Sequence, residues 1–358
     1  LQNGQPRVRT GRQSRLVAKI GLVIRFRGLQ SSGLPITPPI FASFRISGMD
    51  ARCYRVAACF LVLAWTAVDA SAQQSKPASN NSPSDGPQYL LRYKLKPNAV
   101  LRYEVTHLGQ TKTRIQGKEE VTETRSVSTK RWNVTDVNDQ GEMTFENLVE
   151  AVELSQKLND SSPIVFNSRT DSEPPPQFLP VVETIGKPLT TIRVNPQGQV
   201  RERKDQGGMS GNSLGMGELT IPMPAEPLSI GGRWTVPRDI QVRTDGGEVK
   251  KIKIHEVYTL EQVQTGIATL SVKSQPITPV DDPALESQLV QQLSNGKIKF
   301  DLDAGYVLEK QLDWQATVVG FRGADSMLEY LARLTENYVA ETSATTRAAG
   351  RSSNNPQR

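Results

Sequence analysis

The stretch Gln88-Tyr89-Leu90-Leu91-Arg92-Tyr93-Lys94-Leu95-Lys96, followed by Pro97-Asn98 and then Ala99 to Leu108, sets the period of the chain. Tyr89, Leu91, Tyr93 and Leu95 recur at every second position, and Leu101, Tyr103 and Val105 do the same after the turn. Side chains of an extended chain alternate between two faces, so this pattern predicts a strand, a turn and a second strand. The same reading extends downstream. Glu119 to Val137, rich in Thr and Val, is a half-exposed strand, and Asn138 to Gly141 is a turn before Glu142 to Leu154. Alternation in that last segment is clearest at Met143 and Phe145, which leaves a helix open in its later part.

Pro174-Pro175-Pro176 breaks the pattern, and Phe178 to Ile185 reads as a short helix. Leu189 to Val194, Asn195-Pro196-Gln197-Gly198 and Val200 to Arg203 form a hairpin signal, because Asn, Pro and Gly supply the turn chemistry. Residues 206–227 are a Gly-, Met- and Pro-rich loop, read as exposed chain or as a ligand lid. The pattern restarts at Leu228 to Pro237, with a turn at Gly231-Gly232 and Trp234 packed on a sheet. Val249 to Glu261 and Ile267 to Val272 are strands, and Pro283 to Leu293 is an amphipathic helix with Leu285, Leu289, Val290 and Leu293 on one stripe. Lys297 to Leu302 and Tyr306 to Val319 are closing strands. Ala324 to Val339 is expected to be a terminal helix docked on the sheet, carrying Met327, Leu328, Leu331, Leu334 and Tyr338. The expected fold is therefore mainly β with a few helices (α+β): curved antiparallel sheets packed by short helices. The first β-rich unit is 88–205 and the second is 228–341. Short echoes between the halves, such as Val134-Thr135-Asp136-Val137 and Val257-Tyr258-Thr259-Leu260, leave an internal duplication open.

Upstream, Met49 begins a three-part pattern: Arg52 and Arg55, an apolar run from Val56 to Val68, then Ala70-Ser71-Ala72. This is the layout of a signal peptide over 49–72, with cleavage after Ala72. The apolar run is shorter than the ~20 residues that a membrane-spanning helix needs. Residues 73–87 are polar, Ser- and Pro-rich linker, and 342–358 a disordered tail. Residues 1–48 hold eight basic and no acidic residues and read as a dispensable or non-native basic extension ahead of that signal. Setting them aside changes the charge argument. The formal net charge of +6 becomes −2 over residues 73–358, so the basic total gives no support to nucleic-acid binding. Cys53 and Cys59 are the two cysteines, and both lie in the proposed signal. A cysteine-free mature chain excludes a disulfide scaffold and a cysteine metal site. The expected location is periplasmic or extracellular.

The stretch Gly231-Gly232-Arg233-Trp234, the hairpin Val194-Asn195-Pro196-Gln197-Gly198, and Gly296 through Phe300-Asp301 to Gly305 carry a family likeness. They resemble an uncharacterised family of exported bacterial (planctomycete-type) β-rich envelope proteins, over roughly Tyr89 to Phe321. The resemblance implies a β-rich fold and export and lends no activity.

No catalytic, cofactor-binding or metal-binding residues are assigned. His107 and His255, the two histidines, fall in predicted strands far apart in sequence, against the three or four convergent ligands of a zinc site. Asp281-Asp282 before Pro283 is explained by a helix start, with Asp282 as N-cap. Ser210 and Ser213 lack nucleophile-elbow spacing, and Gly186-Lys187 runs into Pro188 rather than a phosphate-binding Ser or Thr. Three functions stay open. The first is a non-catalytic binding or structural scaffold whose partner is an envelope protein or polymer. The second is a carrier of an apolar ligand in a sheet-lined cavity, and the third a carboxylate-dependent hydrolase of cell-surface polymer. A deep apolar pocket points to the carrier and a close pair of carboxylates to the hydrolase.

Overall fold

The computed structural model describes residues 86–206, 220–244 and 246–340. The proposed basic extension and signal peptide, nearly all of the linker, Ser210 and Ser213 in the glycine-rich loop, and the tail lie outside the described residues.

The chain forms twelve strands: β1 (Val100–Ile115), β2 (Lys118–Val137), β3 (Met143–Leu158), β4 (Ile164–Asn167), β5 (Pro188–Val194), β6 (Val200–Asp205), β7 (Arg233–Arg243), β8 (Val249–Gln264), β9 (Ile267–Pro276), β10 (Asn295–Asp301), β11 (Tyr306–Val319) and β12 (Met327–Val339). Two short helices, α1 (Leu179–Val182) and α2 (Pro283–Leu289), and a 3-10 turn at Pro176–Phe178 complete the described elements. All strands belong to one sheet in the order β6-β5-β3-β2-β1-β12-β11-β10-β9-β8-β7, with β4 paired to β3. The order is two meanders joined by their first and last strands, β1 and β12, in register from Arg102↔Val339 to Arg114↔Met327. Neighbours pair antiparallel throughout, which tight turns allow. The β8–β9 turn, Thr265-Gly266, has positive φ at both residues (48° and 79°), the geometry that matches the natural strand twist.

The expected terminal helix is corrected: Met327–Val339 is β12. Leu328, Tyr330, Leu334, Glu336 and Tyr338 alternate as well as they spiral, and pairing on both sides, with β1 and β11, selects the strand. The stretch 88–96 is corrected too. Its alternation is real, since Leu91, Tyr93 and Leu95 are buried, but it makes a single bridge, Tyr89↔Leu228, rather than a strand. It serves as a strap. Tyr93 N donates to Pro196 O (2.8 Å), Lys94 N donates to Gly305 O (3.1 Å), and Tyr93 Oη accepts from Ile221 N (2.9 Å). The strap thereby touches the β5–β6 turn, the β10–β11 turn and the segment leading into β7. Gly198 is required at this junction. Its φ is +74°, and a Cβ there would lie 2.5 Å from Tyr93 Cε2 and 2.6 Å from Ile221 O.

One face of the sheet, the inner face, carries the core. Trp132 stacks on Phe145 (4.6 Å) and Trp234 on Tyr258 (5.1 Å), while Tyr93 meets Phe300 edge-on (5.4 Å). These side chains join one cluster with Leu101, Ile192 and Leu270, drawn from both meanders. Toward the other end, Leu285 and Leu289 of α2 pack on Val242, Ile252 and Ile254, and Val290 packs on Val318, Leu328 and Tyr330. Phe178, beside α1, packs on Val149, Val152 and Leu189. No helix among the described residues is long and apolar enough to cross a membrane.

Candidate functional site

The opposite face is open. Antiparallel register places residues in cross-strand rows, and alternation decides which row faces outward. One outward row begins with Val257↔Lys273↔Asn295↔Asp313 across β8 to β11. It continues as Asp313↔Arg333↔Leu108↔Arg125↔Ser155 across β12, β1, β2 and β3. Two shallow depressions follow these rows. One, of about 930 Å³, is lined by Leu108, Gln110, Arg125, Lys157, Leu331 and Arg333 among others. The second, of about 730 Å³, is lined by Arg233, Thr259, Lys273, Asn295 and Lys297 among others. Asp313 lines both, so they form one trough. From β7 to β3 the trough crosses eight strand spacings, roughly 38 Å at ~4.8 Å each.

Asp313 at the join is held firmly. Arg333 Nε donates to its Oδ1 (2.5 Å) and Gln311 Nε2 to its Oδ2 (2.8 Å). Partial burial pushes its pKa up, but those hydrogen bonds outweigh it and hold the carboxyl below its ordinary value. Other charges in the trough are paired at the surface: Lys297 with Glu261 (3.1 Å), Lys157 with Glu123 (3.8 Å) and Arg125 with Glu153 (3.7 Å). Two exposed apolar side chains, Leu108 and Leu331, sit in its middle at 43% and 45% exposure, where most outward neighbours are polar.

A second polar constellation lies on the inner face and is sealed. Lys130 Nζ pairs with Glu336 Oε1, and Lys310 Nζ with Glu336 Oε2 (2.6 Å); Lys130 is 0% exposed. Lys130 also sits over the rings of Tyr103 (5.4 Å) and Trp132 (5.3 Å). Burial lowers its pKa to about 8 despite the attraction of Glu336. Burial acts oppositely on Glu336, pushing its pKa up, yet the two ammonium groups prevail and hold it below its ordinary value. Burial, followed by the Glu336 charge, holds Tyr103 well above its ordinary value. Among the described residues, Tyr103 Oη, Trp132 Nε1 and both Asn147 side-chain polar atoms have no hydrogen-bond partner.

Residues weighed in the sequence fall apart in space. His107 is on the inner face, edge-on to Trp314 (6.3 Å), and burial lowers its pKa. His255 lies on β8 opposite Pro237. Asp282 caps α2, its side chain accepting from Ala284 N (2.9 Å). Among the described residues, no three His, Cys, Asp or Glu side chains are grouped to hold a metal ion. Lys130, Lys310 and Glu336 were not singled out by sequence reading. The available signal was a charge in an apolar alternation, as in Lys130-Arg131-Trp132-Asn133-Val134 and Leu334-Thr335-Glu336-Asn337-Tyr338.

No family model matches the chain. No curated protein matches it either. Among solved structures, one described by the words "lipid-protein interactions in lipovitellin" aligns with a TM-score of 0.40 and 10% identity, covering 68% of this chain and 25% of that one. A match at that level transfers neither fold nor function.

Proposed function

We propose that the protein is an exported, non-catalytic binding scaffold of the bacterial envelope that engages an extended partner along the outer trough. The scaffold is a curved sheet. Its strand order puts nine spacings between β5 and β7, about 43 Å if flat. Yet Thr220 Oγ1 donates to Gly198 O in the β5–β6 turn (2.8 Å), and two residues on, Pro222 O accepts from Trp234 Nε1 of β7 (2.8 Å). Met223 N also donates to Gln197 O (2.7 Å). A sheet whose outer strands meet the same four residues bends around its inner face. Bending devotes that face to the core and leaves the outer face for a partner.

The observation that carries this reading is the continuous outward row through Asp313, with mixed charge, amide and apolar side chains over eight strands. Long, shallow geometry with polar and apolar side chains interspersed suits a polymer or extended chain better than a small enclosed substrate. The buried charged groups Lys130 and Glu336 belong to the core and do not line this surface.

Amide hydrogen exchange of the protein with soluble cell-envelope fragments (muropeptides, acidic glycan, envelope peptides) tests it. Protection is expected at the outward trough positions of β9, β11, β12 and β1. Protection confined to the segments that cover the inner face, Leu179–Val182, Pro283–Leu289 and residues 88–96, on addition of a fatty acid would support the apolar carrier instead. Release of cleaved polymer, abolished by loss of one carboxylate, would support the hydrolase.

A further inference from the structure

Within that reading, we infer the chemistry of the partner: an extended peptide with an apolar side chain and, some four to six residues away, a cluster of acidic side chains. Arg233 and Lys273 are exposed and have no ion pair or hydrogen bond among the described residues, in contrast to the paired Lys297, Lys157, Arg125 and Arg333. Both face outward in the β7–β9 part of the trough, where Arg233 pairs across to Thr259 and Lys273 to Val257. The carboxylate that lines this part, Asp313, is already engaged by Arg333 and Gln311. This end therefore presents uncompensated positive charge, the complement of an acidic ligand.

The other anchor is apolar. Leu108 and Leu331 are exposed at the β1–β12 seam, diagonal neighbours of one another in the register Leu108↔Arg333 and Gln110↔Leu331. Lys273 on β9 is three strand spacings from β12 and four from β1, roughly 14 to 19 Å. A peptide at ~3.3 Å per residue covers that gap with about four to six residues. Between the anchors lie Asn295 and Gln311, whose amides offer both a donor and an acceptor to a peptide backbone crossing the strands. No aromatic ring lines the basic depression to stack on a sugar face, so an acidic peptide fits it better than an acidic glycan.

The test uses the full chain and a fluorescein-labelled synthetic peptide carrying Leu-Leu, five Gly/Ser residues and Glu-Glu, read by fluorescence anisotropy. Binding is expected to weaken at least tenfold when Glu-Glu is replaced by Lys-Lys, when Leu-Leu is replaced by Ser-Ser, or when the spacer is cut to one residue. Arg233→Glu with Lys273→Glu should weaken the acidic peptide to the same degree and restore binding of the Lys-Lys peptide. Both substitutions are at exposed positions, and an unchanged thermal midpoint confirms that the variant is folded. The inference is overturned if the double reversal leaves affinity unchanged, or if an oligogalacturonate hexamer binds more tightly than the peptide. Trough protection by envelope fragments without peptide binding would sink this inference alone; absence of both would sink the binding-scaffold reading with it.

Discussion

Glu336 faces two ammonium groups with one negative charge, and that imbalance determines how the buried cluster responds to substitution and pH. Glu336→Gln leaves Lys130 buried without its carboxylate partner and removes one from Lys310, and is expected to cost about 3–5 kcal/mol in urea unfolding. Lys130→Met keeps the Lys310–Glu336 pair and puts an apolar side chain in a buried site, and is expected to cost less than about 1 kcal/mol. Equal losses for the two variants would refute the imbalance. The pH response has a defined sign. Lys130 titrates at about 8 in the folded protein against an ordinary 10.5, so the unfolded chain binds more protons between those values. Its contribution to stability therefore rises with pH from about 8 towards 10.5, and its penalty is fully present below 8. Tyr103, raised by burial, works the other way: its contribution is present below its ordinary value of 10 and lost at higher pH. Glu336 is held low, so its contribution is present above 4.5 and lost as pH falls through its folded value. Urea midpoints of the parent and the Lys130→Met variant should diverge in slope between pH 8 and 10; parallel curves would contradict the assignment.

At the scale of elements, the legible parts of the fold were those decided by neighbours in sequence. The Asn195–Gly198 turn, the Asp282-Pro283 helix start and strand β11 follow from local turn chemistry, capping and period. Asp282→Ala should lower stability by about 1 kcal/mol, read as a shift in thermal midpoint, because Ala284 N loses its acceptor. β12 was not legible. Its apolar residues fit a helical stripe as well as a strand, and the deciding partners, β1 and β11, include one more than two hundred residues earlier. The strap at 88–96 shows the converse: alternation reported burial correctly but could not report that its hydrogen bonds go to turns. The trough was illegible for a related reason. Lys273, Asp313, Leu108 and Arg125 lie on four different strands, and only the register aligns them. The buried Lys–Glu–Lys cluster left a faint trace, charges at inward positions, which composition alone cannot separate from a solvated face.

For the whole molecule, the proposed function depends on the sheet bending until the β5–β6 turn and β7 both reach residues 220–223. A flat sheet would expose Trp132 and Trp234 and make the inner face the available surface. Tyr93 is central to closure: Tyr93→Phe leaves the Ile221 amide without its acceptor and should cost roughly 1–3 kcal/mol by chemical unfolding. The most direct measurement is the distance between spin labels at Val200 on β6 and Arg233 on β7, by pulsed electron resonance on a chain with Cys53 and Cys59 replaced. Ten strand spacings would separate the labels by about 48 Å in a flat sheet. The bent sheet predicts one distribution below about 30 Å; a distribution centred near 48 Å would contradict it.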